Sequence, residues 1–146
     1  RELMETWEDG RIKLYTIHSL LAVRRAVPEL FQRGAYVPLA AKGERADHLC
    51  GFARVLGEQA LVVVVPRLVA RLTDLARLPV GPECWGNTRL GLPAEIRART
   101  LRDLLTGEMV GAHAGPGGGE LAIAEILGTC PVAVLEASPP GRRWRR

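Results

Sequence analysis

The sequence is short of long hydrophobic runs. Its longest uninterrupted aliphatic stretch, residues 61–65, holds five side chains, against the ~20 apolar residues that a helix needs to cross a bilayer. No membrane-spanning helix is expected. Nothing near the start joins a cationic patch, an apolar stretch and a small-residue cleavage site, so no secretory leader is read there. The chain opens on Arg1, not methionine, and the expectation is an internal cut, not a natural beginning. Cysteine is scarce as well: Cys50, Cys84 and Cys130 are odd in number, well separated and without a C-x-x-C pair. That spacing speaks against both a disulfide framework and a zinc knuckle, and points to buried reduced thiols in a cytoplasmic protein. Aromatic residues make up only 5%. Trp7, Trp85 and Trp144 are the candidates for stacking on a sugar ring, but with so few aromatics Trp85 is expected to fill the core. Distributed positive charge is missing too. The net charge of +4 is matched by Arg142, Arg143, Arg145 and Arg146 alone, so basicity belongs to the tail and the body is neutral.

What is present is enough for one domain with an appended element: 146 residues, 47% of them hydrophobic. Asp9 and Gly10 make a plausible helix entry, and Leu14, Ile17, Leu20 and Leu21 recur at helical spacing with Arg24 and Arg25 in the last turns. These predict a helix over 11–26. Pro28 disfavours helical geometry at Val27, after which 28–31 can add one turn before Gly34. The pattern then changes to short extended segments: 36–39, 48–55 and 59–65, the last two joined by a turn at Gly57-Glu58. Pro66 ends that strand because it lacks an amide donor. Val69, Leu72, Leu75 and Leu78 suggest a short helix or 3₁₀ segment. Residues 85–92 read as a strand, and 99–110 fit either a strand or one helical face. Residues 111–119 hold five glycines and a proline, which predicts an exposed loop. Residues 120–123 and 131–136, with a turn near 125–128, complete a mainly β chain: an antiparallel β-sandwich preceded by one long α-helix. The last ten residues read as frayed.

Chemistry-bearing motifs are sparse. The stretch "GAHAGPGGGE" lacks the G-K-[ST] ending of a phosphate cradle and sits in no β-α-β unit. His18, His48 and His113 share no i, i+4 spacing that would set two on one helical face toward a metal. His48 and Cys50 share one face of the expected strand, which leaves a metal site or a Cys–His nucleophile open beside simple packing. The pairs Glu44/Asp47 and Asp103/Glu108 are read as solvated turn residues, outside the apolar surroundings that separate an acid's pKa from a base's. The arginine tail with Trp144 would suit an acidic partner or nucleic acid, yet no basic face on the body supports it.

Several segments in order carry a resemblance: "DGRIKLYTIHSLLAVRRAVPELFQRGAYVPL", "GERADHLCGFARVLGEQALVVVVPRL", "CWGNTRLGLP", "RDLLTG" and "CPVAVLEA". Together they resemble the carboxyl end of the maltooligosyl trehalose synthase family, the (1→4)-α-D-glucan 1-α-D-glucosylmutases of the α-amylase-like clan. The likeness spans roughly residues 7–137. Where that family often carries an acidic residue between Trp and Thr, this chain has Gly86 and Asn87, which weakens any role for an acid there.

The resemblance implies that residues 1–33 are the closing helix of a truncated (β/α)₈ barrel, 34–138 an antiparallel β-sandwich domain and 139–146 a basic tail. It also favours a turn plus strand over a helix for 99–110. Such enzymes use two carboxylates, one attacking the anomeric carbon and one moving a proton, and hand a terminal glucosyl group to the reducing-end anomeric hydroxyl. Those carboxylates sit on a barrel of ~250 residues that this chain does not contain. No catalytic, substrate-binding, cofactor-binding or metal residue is therefore assigned here, and no cofactor. Arg11 and Lys13, near the barrel's last loop, are better read as a solvated first helical turn than as a cleft border. The expected partners are the catalytic barrel of the same polypeptide and, in the full-length enzyme, malto-oligosaccharide, with no nucleic acid and no membrane. The rival expectation is a stand-alone module that binds α-glucans.

Overall fold

A computed structural model describes residues 2–73, 77–96, 100–115 and 117–137. A four-residue helix α1 (Glu2–Glu5) and a 3₁₀ turn lead into α2 (Arg11–Ala26). Gly10, with φ of 79°, takes the capping position, a left-handed turn that a side chain would disfavour. Asp9 lies one residue too early to be the cap. Its carboxylate instead accepts the Arg11 amide at 2.9 Å and the Arg11 guanidinium at 2.7 Å, so one free amide of the first turn is still satisfied. Val27 leaves helical geometry at φ −133° and ψ 59°, as a residue before proline is pushed to do. Pro28 then starts the short α3 (Pro28–Gln32).

Nine strands follow among the described residues: β1 (Ala35–Leu39), β2 (Ala41–Lys42), β3 (Leu49–Leu56), β4 (Gln59–Pro66), β5 (Arg89–Leu92), β6 (Thr100–Asp103), β7 (Met109–Gly111), β8 (Gly119–Ala122) and β9 (Ala133–Ala137). They form a six-stranded sheet in the order β1-β3-β4-β9-β6-β7 and a three-stranded sheet in the order β2-β5-β8. Every pairing is antiparallel. The chain is thus a mainly β, antiparallel sandwich preceded by one long helix.

β4 explains the architecture. Ala60, Val62 and Val64 point into the core shared with Leu90, Leu121 and Leu135, while Leu61 lies in a second cluster with Leu30, Leu105 and Val134. Both faces of the strand are covered, by the small sheet on one side and by α2 and α3 on the other. A strand buried on both faces needs a continuous aliphatic run instead of alternation, which is why residues 61–65 read L-V-V-V-V.

Two expectations change. Residues 85–92 are not one strand: Gly81 and Pro82 open a short helix, α4 (Gly81–Trp85), and Gly86 with φ of 49° closes it, so the strand begins only at Arg89. The glycine-rich segment is shorter as a loop than its composition suggests. β7 takes Gly111, β8 takes Gly119, and His113 pairs with Glu120. The ambiguous 99–110 resolves into β6, a turn and β7. Around 69–78 a 3₁₀ turn covers Val69–Arg71, and Leu75 lies outside the described residues. The turn near 125–128 is a helix, α5 (Ile123–Ile126).

Candidate docking interface

The inner face of α2 packs through Leu20 and Val23, with Val27 just past its end, on the cluster of Leu30, Leu61, Leu105 and Val134. The Tyr15 hydroxyl adds a hydrogen bond to the Leu105 carbonyl at 3.0 Å. α3 is pinned beside it, because the Arg54 guanidinium donates to the Phe31 carbonyl and Arg24 lies 6.0 Å from the Phe31 ring.

The opposite face of α2 has no cover. Leu14 is 70% exposed and Ile17 and Leu21 are each 47% exposed. Spaced three and four residues apart, they lie on one line along the helix. No residue of α2 is buried. A surface helix normally carries one apolar stripe against its core with polar residues opposite. This one carries two: the covered one toward the sandwich and this exposed one.

No cluster of three or more His, Cys, Asp or Glu side chains suited to a metal occurs among the described residues. His18 is exposed on α2, His48 ends a 3₁₀ turn and His113 lies 3.6 Å from Glu125. His48 and Cys50 do not share a strand face, because β3 begins only at Leu49; Cys50 is exposed. Trp85 is fully buried, with its indole N–H donating to the Pro79 carbonyl at 2.9 Å, so it is core and not a sugar platform. Arg11 is held by Asp9 and by the Thr6 hydroxyl at 3.1 Å, and the bonds from the Arg11 backbone amide and then its guanidinium hold the Asp9 carboxyl below the usual range. Residues 138–146, with the four arginines and Trp144, lie outside the described residues. A cleft of about 430 Å³ is lined by Arg71, Arg77, Glu83 and Cys84, among others. Burial pushes the Cys84 thiol up, which makes it a poor nucleophile at neutral pH.

One expectation is overturned. Asp103 is not a solvated turn residue: it is 2% exposed, and burial raises its carboxyl against the opposing pull of bonds from the Leu105 amide at 3.0 Å and the Thr106 hydroxyl at 2.9 Å. Sequence spacing missed it because its cover comes from distant elements. The "W-G-N-T" stretch also has a role that its sequence did not reveal. The Asn87 side chain accepts the Glu44 amide and the buried Thr88 hydroxyl accepts the Arg45 amide, both at 3.1 Å. The departure from an acidic residue is therefore occupied by a turn-capping amide. Glu44 itself is exposed, as is Asp47.

No family model matches the chain. Proteins from two strains of Mycobacterium tuberculosis that bear the name maltooligosyl trehalose synthase are 32% identical to it over 123 residues, 84% of this chain and 13% of theirs. Among solved structures, a mutant of maltooligosyltrehalose synthase from Arthrobacter ramosus matches with a TM-score of 0.53 at 34% identity, over 77% of this chain and 12% of that one. Sequence and fold agree, and the chain belongs to the maltooligosyl trehalose synthase family, of whose members it spans about an eighth of the length.

Proposed function

We propose that this chain is the C-terminal structural unit of a maltooligosyl trehalose synthase. In this reading residues 1–33 close a (β/α)₈ barrel, 34–138 form the sandwich that covers the barrel's apolar flank, and 139–146 trail as a basic tail. The intact cytoplasmic enzyme isomerises the reducing-end α-1,4 linkage of malto-oligosaccharides to an α,α-1,1 linkage. The fragment alone does no chemistry, since the attacking and proton-moving carboxylates would lie on the barrel. The observation that carries this is the second apolar stripe of α2. Leu14, Ile17 and Leu21 lie opposite the face already used against the sandwich, and covering each one yields roughly 1–2 kcal/mol. Incubation of the isolated chain with maltopentaose should give no trehalose-ended product, and any turnover would overthrow the assignment.

Glucan binding by the chain itself is a second reading with one observation in its favour. Tyr36 is 56% exposed and its ring stacks on Phe52 at 5.0 Å between centroids, a platform of the kind that pyranose faces prefer. Titration with maltoheptaose should then perturb tyrosine fluorescence and lose its effect in Tyr36→Ala. A flat titration removes this reading.

A further inference from the structure

The turn between β6 and β7 is fixed on every side. The two Asp103 carboxylate oxygens take the Leu105 amide and the Thr106 hydroxyl. The Asp103 backbone carbonyl takes the Gly107 amide, and its amide donates to the Glu108 carbonyl, both at 2.8 Å. The Leu104 amide donates to the Val134 carbonyl of β9, also at 2.8 Å. With its neighbours so held, the Leu105 carbonyl has one orientation, and it receives the Tyr15 hydroxyl from α2, 90 residues away in sequence. The hydrophobic contact beside it runs through Leu20 and Val23 of α2 and Val27 just past its end. Such contact is non-directional and does not by itself choose the rotation of the helix about its axis. A slip of one residue turns a helix by about 100° and would carry Leu14, Ile17 and Leu21 to another side.

We infer that this turn is a clasp that sets the rotation of α2 on the sandwich, with Asp103, Thr106 and Tyr15 as its positioning residues. The clasp belongs to this chain whatever lies on the helix's free face; only its effect on catalysis rests on the docking proposed above.

Amide hydrogen exchange on the 146-residue chain tests it. Tyr15→Phe should speed exchange over residues 15–23 about fivefold, the ratio that one net hydrogen bond carries, and leave β4 unchanged. Asp103→Ala should speed exchange over residues 15–23 at least as much, beyond the acceleration that its general loss of stability gives β4. Asp103→Asn, whose side-chain oxygen still accepts the Leu105 amide, should restore protection to within about twofold, by the same scale. The Tyr15→Phe/Asp103→Ala double variant should exchange no faster than either single one. Thr106→Ala gives the parallel measurement if Asp103→Ala does not fold. Unchanged helix exchange in Tyr15→Phe overturns the clasp, as do effects that multiply in the double variant. A clasp seen in the isolated chain while Tyr15→Phe leaves turnover of the intact enzyme untouched would count against the docking and leave the clasp standing.

Discussion

At the scale of single residues the instructive positions are those whose partners lie far away in sequence. Asn87 and Thr88 cap a turn 43 residues earlier, and Asp103, whose carboxylate bonds within its own turn, pairs with Leu135 of β9, 32 residues on. Neither role leaves a periodicity, so neither was legible. Asp103→Ala removes two acceptors and strands the Leu105 amide, which should destabilise the chain by about 1–3 kcal/mol in denaturant unfolding, while Asp103→Asn should cost less. The pH dependence has a definite sign. Burial raises the folded carboxyl above its ordinary value, so its contribution favours the folded state at low pH and is lost as pH rises through the raised value. Asp103→Asn should flatten that part of the stability profile. Gly43 makes a second test. Its φ is 101°, and a Cβ there would sit 2.9 Å from the Asn87 carbonyl oxygen and the Thr88 Cα. Gly43→Ala should therefore lower stability by at least about 1 kcal/mol, against the near-neutral result of an open surface site.

At the scale of elements, much of the fold was written locally. The bounds of α2 follow from its apolar spacing and from Pro28, and the β3–β4 hairpin from two apolar segments around Gly57-Glu58. The run 61–65 announced a strand covered on both sides. The failure at 85–92 is equally physical: Trp85 and Leu92 look alike as apolar positions, but Gly81-Pro82 starts a helical turn that a strand pattern does not register. The second stripe on α2 was present in the spacing of Leu14, Ile17 and Leu21; which of the helix's apolar residues would remain uncovered was not. Ile17→Glu with Leu21→Lys should weaken any self-association of the isolated chain at least tenfold in sedimentation, without loss of thermal stability beyond a few degrees, because both side chains are about half exposed. Trimming the chain to begin at Gly34 should do the reverse. It uncovers Leu61, Leu105 and Val134, and the product should aggregate or unfold at lower denaturant than the full chain.

At the scale of the whole molecule, three layers are stacked: a small sheet, a large sheet and a helix whose outer side exposes Leu14, Ile17 and Leu21. The relatives are about eight times as long as the matched segment, and the docking proposed above would set part of that remainder against the outer side. Ile17 sits at the middle of the stripe and reports on it. Ile17→Cys, placed in this chain and in an intact maltooligosyl trehalose synthase carrying it, can be labelled with a thiol reagent and the modified peptide followed over time. Cover by the remainder of the enzyme predicts rapid labelling in the 146-residue chain and labelling at least tenfold slower in the intact protein. Equal rates in the two would contradict it.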